Sequence, residues 1–147
     1  MRVLLQRVTR AGVSVGGEVR GSVGPGLMAL VGVGPDDTAD VARTLADKSV
    51  DLRIFRDDDG RTIRSLLDTG GAVLVVSQFT LYGDTRKGRR PSFIHAAPPE
   101  LAAELVEVFA PASEARGVTV GRGEFGAEMA VELVNDGPMT IWLDSDA

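Results

Sequence analysis

The chain has 147 residues, of which 16 are basic, 21 are acidic, one is a histidine and none is a cysteine. This length suits one domain with a substantial core, and we predict a single domain over residues 1–147. Without cysteine the chain can form no disulfide framework, thiol nucleophile or cysteine-ligated metal site. The net charge of −5 argues against a protein that coats nucleic acid by bulk charge.

The apolar runs of the sequence are short. The longest, Leu27–Val31 and Ala72–Val76, are far below the length needed to cross a bilayer. The first ten residues lack the apolar core of a signal peptide. We therefore expect a cytoplasmic protein that associates with no membrane and needs no metal or cofactor.

The first half of the sequence predicts strands and one long helix. Residues 3–10 alternate like a strand, and Gly16-Gly17 is typical of a two-residue hairpin turn. A nearly continuous apolar run over 27–33 predicts a buried strand. Thr38 and the acids before it can cap a helix, and apolar residues at helical spacing extend this helix to about Ile54.

The second half predicts one conspicuous strand and a second helix. The apolar and β-branched run over 72–81 indicates a strand, which a basic loop follows. Pro98-Pro99 can begin a helix, and Pro111 should break or kink it. Three shorter strands are predicted at 118–120, 129–134 and 139–143, the last two separated by Gly137-Pro138. This order favours an α+β fold with a mainly antiparallel, barrel-like sheet and two inserted helices.

Positive charge is concentrated in two stretches despite the acidic total. Residues 1–25 and residues 80–99 each carry a net charge of +3, and 14 of the 16 basic residues are arginines. Arginine makes forked bonds to phosphate, although codon bias can also account for its abundance. The tight run over 85–90 is therefore a candidate anion-binding segment. Its basic residues are Arg86, Lys87, Arg89 and Arg90.

Conventional catalytic motifs are missing. No nucleophile elbow, Walker motif or zinc-binding helix is present, and His95 has no evident partner. The G-x-G-x-x-G pattern at 121–126 is not followed by a helical pattern, so we interpret it as a chance match. The acids of 57–59 lack the ligand spacing of a calcium loop and indicate a solvated turn.

The polar end of the strand over 72–81 is the remaining candidate for chemistry. Ser77, Gln78 and Thr80 could present hydroxyl, amide and backbone N–H groups to a carbonyl substrate. They could equally make local hydrogen bonds that end the strand, and the residue types alone slightly favour this second role. Thr80 has no base beside it in the sequence, so a hydroxyl nucleophile is unsupported.

Two separated motifs carry a resemblance to a known family. They are VSQFTLYGDTRKGRRPSF at 76–93 and VNDGPMTIWLD at 134–144, with shorter matches at 6–11, 13–19, 30–33 and 53–55. In this order and at this length, the chain resembles D-aminoacyl-tRNA deacylases, also called D-tyrosyl-tRNA deacylases. The resemblance implies a metal-free homodimeric enzyme that hydrolyses the ester between a D-amino acid and the 3′-terminal ribose of tRNA.

The resemblance also implies roles for particular residues. Gly137-Pro138 corresponds to the family's Gly-cis-Pro dipeptide, which enters the pocket of the partner subunit, and Arg7 to the residue that orients it. The four basic residues of 86–90 become candidates for contacts with the aminoacylated 3′ end of tRNA. The residues expected to form the aminoacyl pocket are Ser77, Gln78, Phe79, Thr80, Phe125 and Met129.

A rigid backbone suits chiral selection. If it occupies the place to which an L side chain would point, only hydrogen fits there and L substrates are rejected by clash. Such a filter cannot exclude glycine, so we also expect hydrolysis of glycyl-tRNA. The backbone N–H groups of Phe79 and Thr80 are candidate donors to the oxyanion. Without a base, Thr80 fits a water-positioning role. The resemblance implies that the terminal 2′-hydroxyl of the tRNA takes part in catalysis, so we hypothesise an attack by water that this hydroxyl assists.

The sequence departs from the family pattern at two places. Thr62-Ile63 stands where many members have Met-Asn, which bears on side-chain preference, and Met139 stands where valine is usual. Two other functions are considered: a nucleic-acid-binding module without catalysis, and a small-molecule esterase that uses Thr80 or Ser77.

Overall fold

The computed structural model of the chain describes residues 1–147 and contains a six-stranded sheet, a two-stranded sheet and helices of unequal length. The large sheet consists of β1 (Arg2–Val15), β2 (Glu18–Val23), β3 (Gly26–Gly32), β6 (Ala72–Ser77), β7 (Thr119–Arg122) and β8 (Ala130–Asp144). The small sheet consists of β4 (Phe55–Arg56) and β5 (Thr62–Arg64). The helices are α1 (Ala39–Asp51), α2 (Leu66–Thr69) and α3 (Pro99–Ala115), and a 3₁₀ turn covers Phe79–Tyr82.

The first strand organises the large sheet. One edge of β1 pairs antiparallel with β3 and then with β2, and its other edge pairs with β8. Strands β3, β6 and β7 run parallel to one another. The sheet nearly closes where β2 meets β7, because a Cβ on Gly21 would lie 2.5 Å from the carbonyl oxygen of Arg122. The predicted α+β class with a barrel-like core and two inserted long helices is confirmed.

Both faces of the sheet bury apolar side chains. Since side chains alternate along a strand, β6 sends Val73 and Val75 into the large cluster under α1 and α3, and Leu74 and Val76 into a smaller cluster on the other face. Burial on both faces explains the continuous apolar run of this strand. None of the helices has the length and apolarity to span a membrane.

Several local predictions are confirmed. Gly16 and Gly17 form the β1–β2 turn with φ values of +57° and +83°, a region that favours glycine. Thr38 caps α1, its hydroxyl accepting a hydrogen bond of 3.3 Å from the Val41 N–H. The acidic run at 57–60 forms the turn between β4 and β5.

Three predictions about element ends are wrong. The strand predicted over 72–81 stops at Ser77. Of the break or kink predicted at Pro111, the break is wrong: α3 continues through the proline, with the side chains of Ala110 and Ser113 buried on either side of it. Gly137-Pro138 does not divide β8, because the pair lies where the pairing with β1 shifts register and no ladder bond is required of the proline.

A substitution at the start of β3 tests the close packing of β3 against β6. A Cβ on Gly26 would lie 1.8 Å from the carbonyl oxygen of Ala72, whereas a Cβ on Gly24 would meet nothing within 4 Å. We expect Gly26→Ala to lower the free energy of unfolding by about 3 kcal/mol or more, since neither backbone can yield. Gly24→Ala should change it by less than about 0.5 kcal/mol. Urea denaturation measures both, and equal stability of the two variants would contradict the close approach of β3 and β6.

Candidate active site

A cavity of about 500 Å³ opens at the carboxyl ends of β3 and β6, and 13 of its 17 lining residues are hydrophobic. Parallel strands bring their carboxyl ends to one edge of a sheet, which is a common place for ligands in such folds. Val31 and Val33 line the cavity from the end of β3 and the residue beyond it, and Ala102 and Val106 line it from α3.

Most of the predicted pocket residues line this cavity. The five that do are Ser77, Gln78, Phe79, Phe125 and Met129. Thr80 is the exception: it is absent from the lining, and its hydroxyl oxygen accepts a hydrogen bond from the Gln78 side-chain amide.

Phe93 is a pocket residue that the sequence reasoning missed. It lines the cavity and packs edge-to-face against Phe79, with ring centroids 5.2 Å apart and an interplanar angle of 74°. An aromatic residue directly after a polar, basic loop was the signal that could have identified it.

The 3₁₀ turn places backbone donors beside the cavity. Gln78 leaves strand geometry with φ −148° and ψ 80°, while its N–H still donates to the Val31 carbonyl at 2.8 Å. A helical turn leaves its first N–H groups without partners inside the turn, and the Gln78 side chain makes no capping bond to them. The N–H groups of Phe79 and Thr80 are therefore available to a carbonyl oxygen.

The cavity has no catalytic relay of hydroxyl, imidazole and carboxylate. The one side-chain partner of the Thr80 hydroxyl is Gln78. His95 lies near Asp84 instead, with Nε2 3.7 Å from a carboxylate oxygen. Hydrogen bonds from Arg86 hold the pKa of the Asp84 carboxyl well below its usual range. The site can thus bind and polarise a carbonyl, but it offers no side-chain base to activate Thr80.

Arg7 holds the Gly137-Pro138 segment from inside the protein. The peptide bond between Gly137 and Pro138 is cis. The Arg7 guanidinium donates to the carbonyls of Asp136 at 3.0 Å, Gly137 at 3.4 Å and Ile54 at 2.6 Å. It also lies 3.1 Å from the Asp136 carboxylate, and Arg7 is only 2% exposed.

Two further residues fix this segment, and neither was predicted. Arg56 donates to both carboxylate oxygens of Asp136 at 3.1 and 3.0 Å and to the Gly137 carbonyl at 3.3 Å. The Asn135 side-chain amide donates to the carbonyls of Arg7 at 2.9 Å and Met139 at 3.1 Å. Asn135 belongs to the motif at 134–144, but no role was predicted for it, and Arg56 is one of 14 arginines.

The dipeptide and the cavity lie at different places in one chain. Arg7 pairs with Leu27 near the start of β3, whereas the cavity begins at Val31. Four residues of strand separate these positions by about 13 Å. Gly137 and Pro138 are absent from the cavity lining, so a single chain does not bring all the predicted site residues together.

The basic loop leaves from the rim of the cavity. Backbone bonds of 2.7 and 2.9 Å between Asp84 and Ser92 close its base, and Phe93 follows directly in the cavity wall. Arg86 forks onto the Asp84 carboxylate at 2.9 and 2.6 Å. The loop residues that are exposed and form no ion pair are Lys87, Arg89 and Arg90.

Known proteins resemble this chain over its whole length. A family model described as D-Tyr-tRNA(Tyr) deacylase matches residues 4–144. A D-aminoacyl-tRNA deacylase of Roseiflexus castenholzii is 62% identical over 145 residues, which cover 99% of this chain and 92% of the relative. A D-aminoacyl-tRNA deacylase of Bacillus licheniformis is 56% identical over 147 residues and the full length of both proteins.

Solved structures show the same fold. One described as a c-Myc DNA unwinding element binding protein has a TM-score of 0.92 and 38% identity over the full length of both chains. Another, a probable eukaryotic D-amino acid tRNA deacylase, has a TM-score of 0.85 over 97% of both chains, and at 21% identity it supports the fold alone. Together with the family match over residues 4–144, these likenesses establish that the chain belongs to the D-Tyr-tRNA(Tyr) deacylase family.

Proposed function

We propose that this protein hydrolyses the ester bond of D-aminoacyl-tRNA in the cytoplasm and spares the L-aminoacyl form. The observation that carries the proposal is the cavity at the end of β6, whose apolar lining suits an amino-acid side chain. Beside the cavity, the free N–H groups of Phe79 and Thr80 can donate hydrogen bonds to the ester carbonyl oxygen. The names of the relatives from Roseiflexus and Bacillus support the same activity.

We infer that the enzyme works as a homodimer in which Gly137-Pro138 of one subunit enters the cavity of the other. The dipeptide lies outside the cavity of its own chain, and Arg7 and Arg56 hold its backbone from two sides. A backbone held in this way cannot rotate aside as a side chain can. Placed against the substrate α-carbon, it would leave room for hydrogen and exclude an L side chain.

For the chemical step, we propose that a water molecule attacks the ester carbonyl carbon. The N–H groups of Phe79 and Thr80 stabilise the negative charge that develops on the carbonyl oxygen. The bond from the carbonyl carbon to the ribose 3′-oxygen then breaks, and that oxygen must gain a proton while the attacking water loses one. The protein offers no base at Thr80, so we assign both transfers to the neighbouring 2′-hydroxyl of the tRNA, which accepts the proton from water and donates its own to the 3′-oxygen.

The basic loop is our candidate for contact with the tRNA 3′ end. Lys87, Arg89 and Arg90 are free of carboxylate partners and lie beside the cavity rim, where an RNA end carrying the substrate would enter. Arg86 is bound to Asp84 and shapes the loop instead. Within an acidic chain, this patch suits a short RNA end rather than a long duplex.

A second candidate function is nucleic-acid binding without catalysis. It is favoured by the description of a structurally similar protein as a DNA unwinding element binding protein. The cavity counts against it as the sole function, since binding a phosphate backbone needs no deep apolar pocket next to the basic loop.

The first test compares D-, L- and glycyl-tRNA as substrates. We expect the D ester to be cleaved at least roughly a hundredfold faster than the L ester, because the clash excludes the latter. Glycyl-tRNA should be cleaved as well, since it has no side chain to clash. Release of labelled amino acid measures each rate, and an aminoacyl adenosine without the tRNA body serves as the control. Binding without turnover would favour the second candidate function, and equal cleavage of both enantiomers would contradict the filter.

The second test separates the protein hydroxyl from the RNA hydroxyl. We expect Thr80→Ala to keep kcat within about fivefold of the unmodified enzyme, because the hydroxyl has no base to activate it. A substrate with a 2′-deoxy terminal adenosine should react about a hundredfold more slowly, as expected for loss of a proton-transfer group. Single-turnover kinetics measures both rates. If the variant is inactive and the deoxy substrate reacts normally, Thr80 is the nucleophile.

The third test concerns the loop. Replacing Lys87, Arg89 or Arg90 by alanine should weaken tRNA binding and lower the slope of log affinity against log salt concentration by about one for each phosphate that the variant no longer binds. Arg43→Ala is the matched control, since this exposed arginine pairs with Asp40 on α1. Filter binding over a range of salt concentrations gives the slopes. Slopes unchanged in all three loop variants would place the RNA elsewhere.

A further inference from the structure

Arg2, the first residue of β1, reaches across the sheet to the 3₁₀ turn that ends at Tyr82. Its guanidinium donates to the Leu81 carbonyl at 2.9 Å and lies over the Tyr82 ring, 4.4 Å from the centroid. On its other side it lies 3.4 Å from the Asp144 carboxylate and 5.8 Å from the centre of the Trp142 ring. One side chain thus joins the turn to β1 and β8.

The remaining bonds of the turn explain why this contact matters. The Gln78 N–H donates to the Val31 carbonyl, which attaches the start of the turn to β3. The bonds from the N–H groups of Leu81 to Gln78 and of Gly83 to Thr80 lie within the turn and its exit, so they shape it without tying it to the sheet. Arg2 is the one side chain that donates a hydrogen bond to the carboxyl end of the turn.

Tyr82 is held by its ring rather than by its hydroxyl. The residue is 7% exposed, and its hydroxyl has no hydrogen-bond partner. Burial, and then the nearby Asp37 carboxylate, raise the pKa of Tyr82 above its usual range, so the phenol stays neutral. A cation over an aromatic face is attracted by the electrons of the ring. Because the hydroxyl has no partner, this contact with Arg2 is the polar interaction that holds the Tyr82 side chain.

We propose that Arg2 is a positioning residue for hydrolysis, clamping the 3₁₀ turn so that the N–H groups of Phe79 and Thr80 keep their aim at the ester carbonyl. Arg2 does not line the cavity, so we do not place it in contact with the substrate. Its effect is indirect: donors to an oxyanion are effective because they are already in place when charge develops, and small displacements of reacting groups lower rates steeply. The inference rests on the proposed function, since that assigns the donor role to this turn.

The decisive experiment combines kinetics with hydrogen exchange on Arg2→Met. We expect kcat for D-aminoacyl-tRNA to fall about tenfold while KM stays within about twofold, because the clamp acts on the transition state and not on binding. The amides of Leu81 and Gly83 should exchange faster. The emission of Trp142, the single tryptophan, should shift as its neighbouring cation is removed. Arg10→Met is the matched control, since Arg10 is an exposed arginine of the same strand.

Variants of Tyr82 test the same contact, because its ring is the partner of the Arg2 guanidinium. Tyr82→Leu removes the ring and should reproduce the fall in kcat, whereas the conservative Tyr82→Phe keeps the ring and should restore it to near the unmodified rate. The double variant of Arg2→Met and Tyr82→Leu should be no slower than the slower single variant, because both break one contact. If Arg2→Met does not fold, the comparison of Tyr82→Leu with Tyr82→Phe still tests whether the contact between Arg2 and the Tyr82 ring supports kcat.

Two results would overturn the proposal. One is a folded Arg2→Met protein with unchanged kcat; the other is a reduced kcat with unchanged exchange at Leu81 and Gly83, which would mean that Arg2 acts by another route. If the unmodified protein fails to hydrolyse D-aminoacyl-tRNA, the proposed function fails and the catalytic role of Arg2 with it. The exchange and Trp142 measurements would still show separately whether the clamp exists.

Discussion

Arg7 brings a full positive charge into the interior, and the geometry of the Gly137-Pro138 segment depends on how that charge is satisfied. A buried guanidinium loses several kcal/mol of hydration that only close partners can offset. Here the partners are the Asp136 carboxylate and the carbonyls of Ile54, Asp136 and Gly137. Because each bond constrains a backbone position, satisfying Arg7 also fixes the dipeptide relative to β1. Arg56, which is exposed to solvent, donates a second hydrogen bond to the Gly137 carbonyl.

The predicted site residues are divided between the two ends of β3. Arg7 and the dipeptide lie beside its start, and the cavity lies beyond its end. This division follows from the topology, since β1 pairs with β8 along its length while the parallel strands β3 and β6 end together at the cavity. On the proposed dimer, the segment that is rigid in one subunit supplies a wall to the other. Because the backbone that forms the filter belongs to the other subunit, side chains of the cavity can adjust to different substrates without moving it.

Sequence reasoning succeeds here where local chemistry decides the outcome. The Gly16-Gly17 turn, the Thr38 cap and the strand patterns over 3–10 and 27–33 are local, and they were confirmed. It failed at Ser77, because residues 78–81 have strand-forming side chains, whereas the chain leaves strand geometry at Gln78 and closes a 3₁₀ turn with the bond from the Leu81 N–H to the Gln78 carbonyl. It failed at Gly137-Pro138 for a different reason, since the irregular pairing with β1 that accommodates the proline involves residues about 130 positions away.

The distribution of ion pairs explains how an acidic protein can present a cationic surface. Most of its arginines are engaged with carboxylates: Arg116 joins α3 to Asp47 and Asp51 of α1, and Arg122 of β7 pairs with Glu107 and Glu114 of α3. These pairs neutralise the arginine charges where secondary-structure elements meet, so little positive charge is left there to bind an anionic ligand. The loop over 87–90 differs because Asp84, its one nearby acid, is already occupied by Arg86. An anion approaching the cavity therefore meets uncompensated charge at this rim. Net charge could not reveal this property, whereas the pairing of individual residues does.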